Sequence, residues 1–209
     1  MLAIKFIRSY LFSGSMCLML GLGALSNAIA APAGQTAVFA GGCFWGVDAV
    51  FKHVQGVSNV VSGYAGGSAA TANYEMVSAG TTGHAEAVRV SFDPAQVSYQ
   101  QLLEVFFGVA HDPTQLDRQG PDVGSQYRSA IFHISPEQQQ LAQRHIQRLA
   151  AARIFSDPVV TQVVPLQQFY PAEDYHQNYL ALHPNQPYIV MHDLPKLAQL
   201  RKQFPALYR

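Results

Sequence analysis

The sequence predicts an α+β fold in which helices pack on a mixed, mainly antiparallel sheet. Segments with strand character are interspersed along the chain with segments of helix character. Residues 84–92 show the clearest strand pattern, since Val88, Val90 and Phe92 share one face with Glu86. A strand with a single apolar face is typical of an antiparallel or mixed sheet, whereas strands of a parallel sheet are apolar on both faces.

In the first half of the chain, apolar runs bounded by glycine or proline predict strands, and amphipathic runs predict helices. In order, we expect a strand at 36–40, a helix at 44–54, strands at 57–64 and 84–92, and a helix at 98–111. The last helix begins with Ser98 and has Gln101 three residues on, which is a capping-box pattern.

In the second half, Ser135 followed by Pro136 marks the start of a long helix, because serine caps helices and proline suits their first position. In order, we expect a polar loop at 118–126, a strand at 127–134, the long helix from 136, a β-rich run at 158–166, and helices at 172–182 and 194–204.

The first 30 residues have the three parts of a secretory signal. Lys5 and Arg8 form a positive start, residues 11–25 are apolar, and Ala28-Ile29-Ala30 is a small-x-small cleavage site. We therefore expect a signal peptide at 1–30 and one domain at 31–209, exported and, in a Gram-negative source, periplasmic. A membrane anchor is the alternative, but the apolar run is shorter than the roughly 20 residues that a span needs.

Composition excludes several classes of partner and cofactor. The chain has 13 basic and 13 acidic residues, and the expected signal removes two basic ones, which leaves a slightly acidic domain. This balance gives no electrostatic reason to expect nucleic acid or an anionic membrane as partner. Cysteines and histidines lack metal-site spacing, and no glycine loop has phosphate-binding spacing, so neither a metal nor a nucleotide cofactor is expected.

Cys43 is the first candidate for chemistry. The other cysteine, Cys17, lies in the expected signal, so the domain would hold one thiol without a disulfide partner. Cys43 falls between an expected strand and an expected helix, where free backbone N–H groups and the helix dipole favour a thiolate. We therefore expect its pKa to fall below about 8.5. A buried structural cysteine is the alternative.

Glu86 and the aromatic pair Phe44 and Trp45 are the next candidates. A carboxyl on an apolar strand face tends to have a raised pKa and to keep its proton, as a general acid does. A solvent-facing strand edge is the alternative. Phe44 and Trp45 either form a cage for a small apolar group beside the sulfur or belong to the core.

The remaining candidates are less specific. Phenols near glycine-rich turns can donate hydrogen bonds to a developing oxyanion, or can simply pack, and Asp122 is a turn residue by its position. A histidine could also serve as base in a Cys/His hydrolase. The tyrosines are Tyr64, Tyr74 and Tyr127, and the histidines are His84, His111 and His176.

Six motifs in order resemble those of the peptide methionine sulfoxide reductase A family, and the similarity covers most of residues 36–187. The motifs are Gly42-Cys43-Phe44-Trp45-Gly46, Gly63-Tyr64-Ala65-Gly66-Gly67, Thr82-Gly83-His84-Ala85-Glu86, His111-Asp112-Pro113-Thr114-Gln115, Asp122-Val123-Gly124-Ser125-Gln126-Tyr127-Arg128-Ser129 and Phe169-Tyr170-Pro171-Ala172-Glu173-Asp174-Tyr175-His176-Gln177.

The resemblance implies a two-layer α+β sandwich, ferredoxin-like in style, that reduces methionine S-sulfoxide without a metal or organic cofactor. It also implies a role for each matched residue. Cys43 would attack the sulfoxide sulfur, and Glu86 would be the protonated carboxyl that activates the oxygen. The implied supporting roles are hydrogen bonds to that oxygen from Tyr74 and Tyr127, assistance through a water by Asp122, and a cage for the S-methyl group from Phe44 and Trp45.

One departure from the family bears on turnover. Many members carry resolving cysteines in a C-terminal tail, where this sequence has none, and Ser78 stands where some have cysteine. A sulfenic acid on Cys43 would therefore need an external thiol, from a thioredoxin-like or other dithiol donor.

The expected partners are oxidised proteins or peptides and that reductant, with no nucleic acid, no membrane after signal cleavage and a monomeric chain. A Cys/His acyl hydrolase and a non-enzymatic methionine-binding module are the rival functions.

Overall fold

A six-stranded mixed sheet organises residues 34–209, the part of the chain that the computed structural model describes. The expected signal at 1–30 lies outside the described residues. The sheet has the order β7-β6-β1-β3-β2-β8, and its neighbours are antiparallel except for β6 and β7. Its strands are β1 (Gln35–Ala40), β2 (Val57–Ala65), β3 (Ala85–Phe92), β6 (Ala130–His133), β7 (Gln162–Pro165) and β8 (Phe169–Pro171), and β4 (Arg118–Gln119) with β5 (Asp122–Val123) forms a separate hairpin.

Six α-helices flank the sheet within the same residues. They are α1 (Phe44–Lys52), α2 (Tyr74–Ser78), α3 (Tyr99–Val105), α4 (Pro136–Ala151), α5 (Tyr179–Leu182) and α6 (Leu194–Gln203). A π-helical turn at Phe106–Ala110 continues α3, and another at Ile189–Asp193 leads into α6. The capping box predicted at Ser98 is confirmed, and Ser135 caps α4 as expected.

The core has two apolar layers because the side chains of each strand alternate between the faces of the sheet. On one face, Phe39 of β1 stacks on Phe51 of α1 at 5.1 Å and on Phe106 at 4.9 Å between ring centroids. The other face carries small residues, such as Ala85 and Ala87, in a second cluster. Helices α1 and α3 therefore cover the face of β3 that also carries Glu86.

The prediction of a mixed, mainly antiparallel sheet with flanking helices is confirmed. Three local predictions are wrong. The expected loop at 118–126 contains the β4-β5 hairpin, and the strand expected from residue 127 begins at 130 after a 3₁₀ turn. The helix expected at 172–182 is short, since Asn178 adopts a left-handed φ of 56°, which a right-handed helix cannot include. Helix α2 was not predicted.

The length and apolar content of the described helices show whether any of them could cross a membrane. Within residues 34–209, none combines the length and the apolar content that crossing a bilayer requires.

Phe39 should be one of the largest single contributors to stability. Its ring is fully buried and stacks on three aromatic rings. We expect Phe39→Ala to lower the free energy of unfolding by about 3–5 kcal/mol through lost contacts and a cavity. Urea denaturation measures this, and Leu182→Ala at an exposed site is the control, expected to change it by less than about 0.5 kcal/mol. Equal effects of the two variants would contradict this account of the core.

Candidate active site

Cys43 lies at the point where the chain turns from β1 into α1, as the sequence predicts. The preceding turn has no room for side chains. A Cβ on Gly41 would lie 2.8 Å from the ring of His111, and one on Gly42 would lie 2.5 Å from Gln119, while Gly42 also has a φ of +91°. Glycines therefore let His111 and the β4-β5 hairpin pack directly against the backbone that presents the thiol.

Glu86 faces this turn from the centre of the sheet. Its Oε2 accepts a hydrogen bond of 3.0 Å from the backbone N–H of Phe44, the first residue of α1. The side chain is buried, so the predicted apolar-face position is confirmed and the strand-edge alternative is wrong. Burial raises the pKa of Glu86 to about 8, the Phe44 N–H opposes this rise, and the charge of Asp122 adds to it. The carboxyl group is therefore protonated at neutral pH.

The pKa of Cys43 is raised well above its ordinary value of about 9, so the predicted lowering is wrong. Burial is the largest cause, and the carboxyl groups of Glu86 and Asp193 add to it, while the backbone N–H of Trp45 acts in the opposite direction. The helix N-terminus does favour a thiolate, but it is outweighed by lost hydration and neighbouring acidic groups. The resting site thus holds protons on both the thiol and the Glu86 carboxyl.

The two aromatic residues after Cys43 point in different directions. Phe44 is buried in the core, whereas Trp45 is only partly buried. The Trp45 indole stacks on Tyr179 with centroids 3.7 Å apart, and its Nε1–H donates to Nδ1 of His176 over 3.2 Å. His176 also packs on the Phe44 ring at 5.0 Å. One histidine therefore contacts both rings of the predicted cage.

Tyr74, Tyr127 and Asp122 come together around the same carboxyl group. Burial raises the pKa of both phenols, and the charges of Glu86 and Asp122 raise them further, which places these groups close together. Both phenols are therefore hydrogen-bond donors at neutral pH. Asp122 lies in β5 and accepts a hydrogen bond from the hydroxyl of Tyr188. All seven predicted site residues lie in or beside this cluster.

Tyr64 and the three histidines have other contacts. The buried Tyr64 donates to Oε2 of Glu173 over 2.9 Å. His84 bonds the backbone of Gly67 and Ser68, His111 bonds the Phe106 carbonyl and the Ser129 hydroxyl, and His176 accepts from Trp45. Among residues 34–209, none of these histidines forms a hydrogen bond with Cys43. The geometry does not support the Cys/His hydrolase.

Several residues near the site were assigned no role from the sequence. The first is Asp193, which is fully buried, pairs with Lys196 over 3.2 Å and lies against Gly46 in the first turn of α1. Tyr188 and Glu173 are the others. All three lie far from Cys43 in sequence, so only the tertiary structure brings them to it. No cluster of three or more metal-binding side chains forms in the described part of the chain.

Comparison with known proteins identifies the family. The family model described as peptide methionine sulfoxide reductase matches residues 35–207. The chain belongs to the peptide methionine sulfoxide reductase A family. It is 56% identical over 179 residues to MsrA 2 of Mesorhizobium japonicum, covering 86% of this chain and 92% of the relative. It is 51% identical over 170 residues to MsrA of Deinococcus radiodurans, covering 81% and 82% respectively.

Solved structures of the family agree with this assignment. Methionine sulfoxide reductase A of Corynebacterium diphtheriae superposes with a TM-score of 0.66 at 36% identity, covering 74% of this chain and 77% of that one. Reduced Mxr1 from Saccharomyces cerevisiae gives a TM-score of 0.69 at 30% identity, covering 73% and 87%. This methionine sulfoxide reductase is therefore an oxidoreductase that reduces methionine sulfoxide.

The raised pKa of Cys43 predicts an unusual alkylation profile. We expect the rate of Cys43 modification by iodoacetamide in the native reductase to rise with pH only above about 9, because the thiolate is the reacting form. The same thiol in urea-unfolded protein is the control and should show its inflection at a lower pH, at the ordinary pKa of a cysteine thiol. A native inflection at or below that of the unfolded chain would contradict the assignment. Mass spectrometry of the Cys43 peptide measures both.

Proposed function

We propose that Cys43 is the nucleophile that reduces methionine S-sulfoxide, free or in proteins. The observation that carries this is the hydrogen bond between the Phe44 N–H and Glu86 Oε2, which sets a protonated carboxyl beside the thiol. In the reaction Cys43 Sγ bonds to the sulfoxide sulfur while Glu86 protonates the oxygen. The thiol proton replaces the one that Glu86 has given up.

The hydroxyl group then passes from the substrate sulfur to Cys43 Sγ as a sulfenic acid. The sulfur–oxygen bond of the substrate and the bond between Sγ and the substrate sulfur both break, and methionine leaves. The substrate sulfur is reduced by two electrons, and the cysteine sulfur is oxidised by two. The Phe44 N–H stabilises Glu86 during the interval in which the carboxyl is ionised, because a hydrogen bond to the charged form favours it.

The surrounding residues supply binding and orientation. Tyr74 and Tyr127 keep their phenolic protons and donate to the sulfoxide oxygen, where charge develops. Asp122, oriented by Tyr188, assists through a water. Phe44 and the indole of Trp45 form the apolar cage for the S-methyl group, and the stacking on Tyr179 holds that indole in place. The enzyme needs no metal or organic cofactor for these steps.

We further propose that the reductase is of the one-cysteine type. Cys43 is the only cysteine within residues 34–209. An external thiol therefore condenses with the sulfenic acid to a mixed disulfide and water. A second thiol of the donor then frees Cys43 and leaves the donor as a disulfide. The proposed donor is thioredoxin-like, and yeast Mxr1, which shares this fold, has been solved in complex with Trx2.

The remaining proposals concern location and assembly. We propose that residues 1–30 are removed as a signal peptide and that 31–209 form an exported, monomeric enzyme, periplasmic in a Gram-negative source. The basic start, apolar run and Ala28-Ile29-Ala30 site support export. The central strand order β6-β1-β3-β2, with α1 and α3 as crossovers, supports grouping the core with ferredoxin-like sandwiches.

A single-turnover experiment tests the nucleophile and the one-cysteine proposal together. Mature enzyme mixed with a methionine sulfoxide peptide, without reductant, should release one equivalent of methionine peptide per Cys43. The enzyme should gain one oxygen or a dimedone adduct at Cys43. Cys43→Ser should release none while unfolding at the wild-type temperature. Multiple turnovers without added thiol, or activity in Cys43→Ser, would disprove the assignment.

Glu86→Gln tests the proton donor. The amide oxygen still accepts the Phe44 N–H, but the side chain has no proton to deliver. We expect the single-turnover rate to fall by about 10²–10⁴-fold. The wild-type rate should fall as pH rises through about 8, since ionised Glu86 cannot act as an acid. Glu137→Gln, at an exposed helix start, is the matched control. A Glu86→Gln rate near that of the control would assign the carboxyl a purely structural role.

A further inference from the structure

Residues 172–177 pack beside the active site, but none of them has a role in the reaction described above. The Gln177 side chain anchors this segment by pairing with both backbone groups of Ser62 in β2. The Ser62 N–H donates to Gln177 Oε1 over 3.0 Å, and Gln177 Nε2 donates to the Ser62 carbonyl over 2.9 Å. Gln177 Nε2 also bonds the carbonyl of Ala172. The segment is thereby fixed to the sheet at both ends.

Glu173, inside this segment, joins two tyrosines. Its Oε1 accepts the backbone N–H of Tyr74 over 2.9 Å, and its Oε2 accepts the hydroxyl of Tyr64 over 2.9 Å. Tyr74 is the first residue of α2, where the backbone N–H has no partner inside the helix. Burial acts to raise the pKa of Glu173, but these hydrogen bonds hold it below its ordinary value. The carboxylate is therefore charged and committed to both contacts.

The same turn also contacts the Tyr74 ring. The backbone N–H of His176 donates to the Glu173 carbonyl over 2.9 Å, which closes the turn. The His176 ring then packs on the Tyr74 ring with centroids 4.4 Å apart and accepts the Trp45 indole N–H. Glu173 thus hydrogen-bonds the backbone of Tyr74, while His176 packs on the Tyr74 ring. The fully buried Tyr64, which donates to Glu173, is the fixed point of this arrangement.

We propose that Glu173 is a positioning residue for the reductase reaction, which fixes the Tyr74 phenol at the sulfoxide oxygen by tying the first turn of α2 to Tyr64. The inference rests on the role proposed above for Tyr74. Helix α2 has only five residues and a single side-chain cap, from Asn73, so it has little stability of its own. Without the carboxylate, the phenol would be free to shift, and misplacement by about 1 Å is costly in a preorganised site.

The chain offers a conservative variant that separates geometry from charge. In Glu173→Gln the amide oxygen still accepts the Tyr74 N–H, and the amide NH₂ donates to the Tyr64 hydroxyl, which is able to accept as well as donate. Glu173→Ala removes both contacts. We expect Glu173→Ala to lower the single-turnover rate on the order of tenfold to a hundredfold, and Glu173→Gln to stay within about twofold of wild type.

A double-mutant cycle decides whether Glu173 acts through Tyr74. Single-turnover rates are measured for Glu173→Ala, Tyr74→Phe and the double variant, and again with Tyr127→Phe in place of Tyr74→Phe. We expect the double variant to match Tyr74→Phe alone, because the phenol that Glu173 positions is already gone. With Tyr127→Phe the two losses should multiply. Thermal unfolding of every variant shows whether a loss reflects the folded enzyme.

Three outcomes overturn the inference or its basis, and they are distinguishable. A wild-type rate in Tyr74→Phe would remove the proposed role of Tyr74 itself. A rate loss in Tyr74→Phe together with a wild-type rate in Glu173→Ala would remove only the positioning role. Losses that multiply in the Glu173→Ala and Tyr74→Phe pair would show that Glu173 acts elsewhere. If Glu173→Ala does not fold, Tyr64→Phe replaces it in the cycle and should show a smaller loss that Tyr74→Phe again abolishes.

Discussion

The hydrogen bond from the Phe44 N–H to Glu86 Oε2 joins the two halves of the catalytic site. It links the first turn of the helix that follows Cys43 to the start of the central strand β3. Both groups are buried, so losing either partner would leave the other unsatisfied, which is more costly than the bond is stabilising. The bare glycine turn before Cys43 lets His111 and the β4-β5 hairpin pack directly against the backbone that leads to this contact.

The electrostatics of the site follow from the same burial. Burial raises the pKa of the Cys43 thiol most, and the charges of Glu86, Asp193 and Asp122 raise it further. A buried site tolerates little negative charge, so the free enzyme keeps protons on Cys43 and Glu86. The oxygen of a bound sulfoxide can accept a proton, and the protonated Glu86 carboxyl can donate it. A protonated carboxyl beside the thiol suits a substrate that needs protonation during attack.

The sequence predicted the positions of Cys43 and Glu86 better than it predicted the pKa of Cys43 or the structure of the segment after β8. The alternation in β3 put Glu86 on the apolar face but left a solvent-facing edge as an alternative, which the structure excludes. The strand–Gly-Gly–helix pattern placed Cys43 at the start of α1. The sign of the Cys43 pKa shift could not be predicted, because it depends first on burial and then on carboxyl groups from distant strands and helices, which only the tertiary structure shows. The segment after β8 looked helical by composition, yet the left-handed Asn178 and the pairing of Gln177 with Ser62 break it into turns. Tertiary contacts overrode local propensity there.

The supporting residues share a position in the chain, and sequence reasoning assigned none of them the supporting role that the structure gives it. Glu173, His176, Tyr188 and Asp193 all follow β8, whereas the reacting groups other than Asp122 and Tyr127 precede residue 90. The part of the chain after β8 thus packs against α1 and contacts several of the site residues. Glu173 and His176 hold Tyr74 and Trp45, Tyr188 orients Asp122, and Asp193 lies against the first turn of α1. Such contacts leave no periodic or spacing signal, because each is a single side chain that meets its partner only after the sheet has formed. The geometry of the site therefore depends on residues whose contacts become visible only in the folded structure.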